Sequence, residues 1–570
     1  MNTHFIVKIT VLFFSCLQFL NSCTSEKNTT VKQAPSQPNI LLIVADDLGF
    51  TDLGCYGSEI KTPNIDALAK QSTRFTSFCT GPTCSPTRGM LLSGIDAHRN
   101  GYGTMDGDWS DNQLGLRGYE GYLNFDVVTF PKLLQDAGYH TSIAGKWHLG
   151  SPRKKEQWPI NRGFTRSFCL VPGGGGHFYD KQPFLAVIPA SPYCQDSSLV
   201  GELPKDFYST KSYTDKAISY IDESQQENKP FFHLLSFTAP HWPLQVPDEH
   251  INLYKGQYDE GYEKLAIQRL QNGKKAEVIP EYASLPPLSP NVIPWSELSK
   301  EEQQKASKSM ELYAAMIDRL DYHTGRVIQH LKDIGEYENT LIIFMADNGA
   351  EGNSIMGYAN TREWVDATFD NSLENMGRIN SYVELGTAWA QVSSLPFKWY
   401  KAFATEGGVR APIMIRYPKG KKAANTINHD FLSVKDLAPT FLDLTEVEHP
   451  KTNYKGREIF PMTGTSMLPW LNGKIESVHP KDKVHAWELY GRRGLRKGQW
   501  KAEWMEAPYG TSEWELYDLS NDISQQKNLA STHPEKLAEL IKDWEVYEKS
   551  NNVTLPDRPT AYAKETIWRE

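Results

Sequence analysis

Four short apolar runs in this chain each stop abruptly at polar residues. Residues 40–44 (ILLIV) lead into Asp46-Asp47, and residues 141–144 lead into Gly145-Lys146-Trp147-His148. Residues 231–237 (FFHLLSF) lead into Pro240-His241, and residues 341–345 (LIIFM) into Asp347-Asn348-Gly349. Runs this short and continuous predict strands buried on both faces. Helical patterns separate them. Thr62-Pro63 reads as an N-cap with proline at N1, opening a helix over 64–72. Residues 127–137 form a second helix, stopped at Gly138. Residues 213–223 are amphipathic, and 300–334 form a long helical stretch with a break allowed within it. Strands alternating with helices predict an α/β fold with a mostly parallel central sheet flanked by helices. Ligands in such folds bind beyond the carboxyl ends of the strands. All four polar clusters fall there, so they should form one composite site.

Three segments break the pattern. Residues 101–122, 172–205 and 242–294 have little periodicity and many Gly, Pro and aromatic residues, and are read as irregular pocket walls. Within them, Gly173-Gly174-Gly175-Gly176 precedes His177 but lacks the context of a phosphate loop, so no nucleotide is assigned to it. After about residue 475 the texture changes: 485–489, 499–504 and 513–517 read as short strands and 534–549 as a final helix. The expected organisation is a catalytic domain over 38–474 and a smaller α+β subdomain over 475–570.

The formal net charge of -9 disfavours a nucleic-acid partner. Residues 1–22 resemble an export signal, with Lys8 ahead of an apolar stretch too short and interrupted to span a membrane. Leu20-Asn21-Ser22-Cys23 resembles a bacterial lipobox, so Cys23 would carry lipid and residues 23–37 would be a flexible tether. The expectation is an exported lipoprotein, with a soluble periplasmic protein as the alternative. Of the seven cysteines, Cys16 leaves with the signal. Cys55, Cys79, Cys169 and Cys194 allow three pairings. A Cys169–Cys194 bridge and free buried thiols both remain open.

Asp46, Asp47, Asp347 and Asn348 are hard oxygen donors, which select calcium or, less readily, magnesium. Lys146 and His148 stand two apart and so share a face in an extended segment. Lys401 precedes a Thr405-Glu406-Gly407-Gly408 turn. Gathered round an anionic group, such fixed cations would stabilise transferring charge.

Cys84-Ser85-Pro86-Thr87-Arg88 reads Cys-x-Pro-x-Arg, with Gly-Met-Leu-Leu-Ser-Gly following. This resembles the signature of the type I sulfatases, of the alkaline phosphatase-like superfamily. The paired aspartates, Gly145-Lys146-Trp147-His148, Pro240-His241, Asp347-Asn348-Gly349 and Lys401 five before Glu406 match that family in order. Gly118 to Gly121 and residues 394–401 look like the subgroup containing the Pseudomonas-type arylsulfatase. Trp500-Lys501 and residues 514–519 extend the likeness to most of the chain. The resemblance implies that Cys84 is oxidised to formylglycine by a formylglycine-generating or radical maturating enzyme. It implies that Asp46, Asp47, Asp347, Asn348 and modified Cys84 hold one calcium. Arg88 would steady the formylglycine, and Lys146 and Lys401 would bind sulfate oxygens. Asp347 would help deprotonate the attacking hydroxyl. His241 would protonate the leaving oxygen, and His148 would accept a proton as sulfate departs. The implied substrate is a sulfated glycan, with aryl sulfates also accepted. A formylglycine-dependent phosphonate or phosphodiester hydrolase, and an inactive glycan-binding lipoprotein, are the competing readings.

Overall fold

The computed structural model describes residues 37–357 and 360–560. The expected signal, Cys16, the lipid-bearing Cys23 and the tether up to residue 36 lie outside the described residues.

Ten strands form the main sheet. In chain order they are β1 (Asn39–Ala45), β2 (Thr73–Phe75), β3 (His140–Lys146), β4 (Arg166–Leu170) and β5 (Tyr193–Gln195), followed by β6 (Ser198–Leu199), β7 (Phe231–Ser236), β8 (Thr340–Ala346), β9 (Ile413–Arg416) and β10 (Thr426–Asn428). Across the sheet they run β10-β2-β9-β8-β1-β7-β3-β4-β5-β6. The five central strands, β8 to β4, are mutually parallel. Strand β9 runs antiparallel against β8, and β5 against β4.

Both faces are covered, which is why the central strands are buried at nearly every position rather than at alternate ones. Adjacent residues of β7 show it. Phe232 meets Phe130 and Phe441 on one side, at centroid distances of 4.9 and 6.2 Å. His233 meets Tyr220 on the other, at 6.5 Å. Tyr220 belongs to the helix Ser209–Gln226, which packs on Lys300–Asp333. Lys300–Asp333 is one unbroken helix of 34 residues, opened by a Ser299–Glu302 capping box. The break allowed for in it does not occur.

Register brings the polar clusters together. Val44 pairs with Met345 on one side and Ser236 on the other, and Gly145 pairs with Ser236. The strands therefore end level, and Asp46, Lys146 and Asp347 leave one edge of the sheet.

The expected irregular segments hold more structure than their composition suggests. Residues 242–294 contain the helix Tyr262–Lys275, and 172–205 supply β5 and β6. Towards the C-terminus a four-stranded antiparallel sheet comprises β11 (Val484–Leu489), β12 (Arg492–Lys497), β13 (Trp500–Trp504) and β14 (Trp514–Asp518). The helix Pro534–Asn551 packs on it through Leu540 and Trp544. Cys55, Cys79, Cys84, Cys169 and Cys194 are all free thiols. Cys169 and Cys194 nevertheless stand directly opposite each other on β4 and β5.

Candidate active site

Cys84 is the first residue of the helix Cys84–Ser93, every residue of which is buried. Its Sγ lies 3.2 Å from His148 Nδ1. His148 reaches that position because β3 ends in an unusual turn. Gly145 has φ of 121° and lies so close to β7 that a Cβ there would sit 1.7 Å from the Ser236 carbonyl oxygen. Only glycine fits. Two residues later the chain turns again, with His148 itself at φ 54°.

Three cations, His241 and a set of acids surround Cys84. Arg88, one helical turn on, donates from Nε and Nη2 to Asp347 Oδ2 at 2.9 and 2.7 Å. Its Nη1 donates to Ser236 Oγ at 2.6 Å and to the Lys146 carbonyl at 3.1 Å. Lys146 Nζ donates to Asp46 Oδ2 at 2.6 Å. Lys401 Nζ lies 2.9 Å from Asp47 Oδ1 and 2.8 Å from Glu351 Oε2. His241 Nε2 lies 3.5 Å from Asp47 Oδ2. Its Nδ1 is 2.6 Å from the Trp242 carbonyl. A carbonyl only accepts, so Nδ1 carries the proton and Nε2 is the atom turned to the site.

This packing sets the protonation states. Burial pushes the His148 imidazole well down, and Lys146, Arg88 and Lys401 push the same way, so it is a neutral base. Burial also lowers His241, with Asp47 opposing. Burial works against the Asp47 charge, but Lys401, His241 and Lys146 outweigh it and hold the carboxyl down at about 2. Asp46 is pushed up by burial, against the pull of Lys146. Burial raises the Cys84 thiol despite Lys146 and Lys401, so the unmodified cysteine is a poor nucleophile here.

The donor set fits a hard cation. Asp46 Oδ1 and Asn348 Oδ1 are fully buried and accept no hydrogen bond. Asp46 Oδ1 lies 3.7 Å from Arg88 Nη2, and buried oxygens without a hydrogen bond need an explanation, of which a hard cation is one. Among the described residues, ligand atoms of Asp46, Asp47 and His241 lie within 4.8 Å of one another. Asn348 Nδ2 donates to Asp47 Oδ1 at 2.6 Å, so its carbonyl end remains available. Asp347 Oδ1 accepts from the Asp47 amide at 3.3 Å.

The structure thus places Cys84, Arg88, Lys146, His148, His241, Lys401, Asp46, Asp47, Asp347 and Asn348 around one centre. Sequence reading missed Glu351 and Ser236. Glu351 is buried against Lys401, and Ser236, the last residue of β7, bonds Arg88. Both continue segments already singled out, three residues past Asn348 and inside the FFHLLSF run. Lys398 turns away from the centre, to Glu503 at 2.9 Å and Glu515 at 3.3 Å on β13 and β14.

The sulfatase family model matches residues 38–447, and the model of the N-sulphoglucosamine sulphohydrolase C-terminal region matches 396–549. The chain belongs to the sulfatase family and is a sulfuric ester hydrolase. An uncharacterised sulfatase of Schizosaccharomyces pombe is 44% identical, covering 90% of this chain and 93% of its own. The arylsulfatase of Klebsiella aerogenes is 38% identical, covering 76% and 91%. Among solved structures, Ps i-CgsB is 25% identical with a TM-score of 0.64, covering 92% of this chain and 94% of its own. The parallel sheet with flanking helices and the C-terminal antiparallel sheet are the architecture of this family.

Proposed function

We propose that this sulfatase works through formylglycine at position 84 with one calcium ion bound beside it. The observation that carries this is the Cys84 environment: a thiol made unreactive by burial sits among Arg88, Lys146 and His148, where a nucleophile is needed. As an aldehyde hydrate, that position would supply an oxygen nucleophile that expels sulfate and regenerates itself. Asp46, Asp47, Asp347, Asn348 and position 84 would hold the ion, which supplies positive charge for the sulfate oxygens.

The chain's own residues do the rest. Lys146 and Lys401 bind sulfate oxygens and are held in place by Asp46, Asp47 and Glu351. Arg88, locked by Asp347 and Ser236, orients the side chain of residue 84. Asp347 takes the proton of the attacking hydroxyl. His241, held by the Trp242 carbonyl, turns Nε2 to the departing alcohol oxygen, and its imidazolium form, which Asp47 at 3.5 Å favours against burial, delivers the proton from Nε2. His148, neutral and 3.2 Å from Sγ, accepts a proton at position 84 as sulfate leaves.

The substrate proposed is a sulfated carbohydrate, with aryl sulfates also turned over. The support is that Ps i-CgsB has been solved with k-i-k-neocarrahexaose and that the Klebsiella relative is an arylsulfatase. The proposal extends to a formylglycine-generating or radical maturating partner, and to an exported lipoprotein held to the membrane through Cys23. Its domain boundary lies near 474/475.

Mass spectrometry of the Cys84 peptide tests the reading. Active enzyme should carry a residue about 18 Da lighter than cysteine, the change from thiol to aldehyde. An intact thiol in fully active material would overturn it. A screen of sulfated monosaccharides by position then fixes the sugar.

A further inference from the structure

The run Gly173 to Gly176 was given no role by its sequence, and the mechanism above does not use it. It lies against both histidines. A Cβ built on Gly173 would fall 2.5 Å from Cε1 and 2.6 Å from Nε2 of His148. One on Gly174 would fall 3.1 Å from Cε1 of His241, and 3.3 Å from the Phe184 ring. Neither residue has a positive φ. No left-handed φ demands glycine here, so it is the missing side chain that the positions require.

The loop is tied down at both ends. Before the glycines, the His148 amide donates to the Val171 carbonyl at 3.1 Å, and Val171 is itself tied to Pro192. After them, His177 bonds the His241 carbonyl at 3.2 Å and Gln245 at 2.9 Å. Each end of the run is thus fastened to the segment carrying the histidine it touches. A methyl at 173 must displace the His148 ring, whose other nitrogen meets Cys84 Sγ.

We infer that Gly173 and Gly174 are positioning residues for the sulfatase reaction, the bare backbone floor that sets where the rings of His148 and His241 stand. The inference rests on the roles proposed for those histidines. The two positions differ in severity. A contact of 2.5 Å is incompatible with the present ring position, whereas 3.1 Å requires a shift of a few tenths of an ångström.

The test compares Gly173→Ala, Gly174→Ala and Gly175→Ala in the full chain. Gly175→Ala is the control: its Cβ would meet Ser191 Oγ at 2.5 Å, equal crowding in the same loop but away from the histidines. A crystal structure of Gly173→Ala should show His148 Nδ1 drawn away from residue 84. With matured enzyme, its kcat should fall on the order of 10²-fold, alike on 4-nitrophenyl sulfate and a secondary alkyl sulfate, with KM little changed. Gly174→Ala should lose less, and more on the alkyl ester than on the aryl ester. Gly175→Ala should keep wild-type kcat per folded molecule. In a His148→Ala background, Gly173→Ala should cost nothing further, because it acts through that ring.

An unmoved His148 in Gly173→Ala, or the same loss from Gly175→Ala, overturns the inference. So does a full additional loss in the His148→Ala background. Should Gly173→Ala not fold, the milder Gly174→Ala decides: an equal effect on both esters overturns it. A His148→Ala enzyme of undiminished activity would instead sink the proposed role of His148, while leaving the ring displacement measurable.

Discussion

The atom of His241 that faces the reaction is fixed by a single contact, the Nδ1 hydrogen bond to the Trp242 carbonyl. Nε2 is then free to serve a departing oxygen. Its value depends on how basic that oxygen is: a sugar alkoxide needs the proton, and a nitrophenolate leaves largely unaided. His241→Ala should therefore lose on the order of 10²-fold more activity on a sulfated sugar than on 4-nitrophenyl sulfate. Equal losses on both, in folded and matured protein, would remove the acid role. The orphaned oxygens of Asp46 and Asn348 make a separate statement. Asp46→Ala deletes a charged donor and strands Lys146, so titration calorimetry should show calcium binding lost in this variant and present in wild type. Undiminished calcium binding by Asp46→Ala would contradict the donor set.

At the level of elements, Lys401 depends on structure far from the main sheet. The segment around it is clamped on both sides by buried charges. Lys398 bonds Glu503, Glu515 and Tyr517, and Glu406 bonds Lys501 at 2.9 Å and Arg410 at 2.6 Å. Lys501, Glu503, Glu515 and Tyr517 belong to β13 and β14. The C-terminal sheet therefore holds the segment that carries Lys401 in place. Removing one partner of a buried pair leaves an uncompensated charge, at about 3–5 kcal/mol. Glu406→Gln should cost stability on that order in denaturant unfolding, whereas disruption of an exposed pair such as Lys211–Asp215 should cost under about 1 kcal/mol. The site's own strands were legible in sequence because continuous apolar runs and abrupt polar ends survive any context. Strand β12 was not: RRGLRK is charged at four of its six positions, in two adjacent pairs, and becomes a strand only by lying between β11 and β13. The helix Tyr262–Lys275 escaped for a related reason. Its buried face is only Tyr262, Leu265, Ala266, Arg269 and Gly273, with Arg269 satisfied by Asp52 and Glu59. Glu351 could not be distinguished from any acid after a turn until Lys401, fifty residues on, was folded against it.

Across the whole molecule, His98 joins the sulfatase core to the C-terminal region. Its ring lies between Asp96 at 3.1 Å and Glu488 of β11 at 2.9 Å, with Tyr547 of the last helix against Asp96. Burial lowers the imidazole, but the hydrogen bonds and charges of Asp96 and Glu488 prevail and push it up to about 9. An unfolded histidine titrates near about 6.5. The folded value is the higher one, so this stabilisation is complete below about 6.5 and fades as pH rises toward 9. His98→Asn should therefore lower the melting temperature more at pH 6 than at pH 9. The difference corresponds to about 3 kcal/mol at most. A gap independent of pH would mean that the ring is not charged in the fold.

The depth of Cys84, only 1% exposed within a wholly buried helix, also constrains the history of each molecule. No enzyme can seat a native chain's residue 84 in its own catalytic pocket without unfolding the surrounding helix and strand ends. The proposed oxidation must then happen on the nascent or still-extended polypeptide, in competition with folding. A population made without enough of the maturing enzyme would be permanently mixed: correctly folded, indistinguishable in shape, and inert in the fraction that closed too soon. Adding that enzyme to native thiol-form protein should rescue nothing, whereas adding it during refolding from denaturant should restore activity.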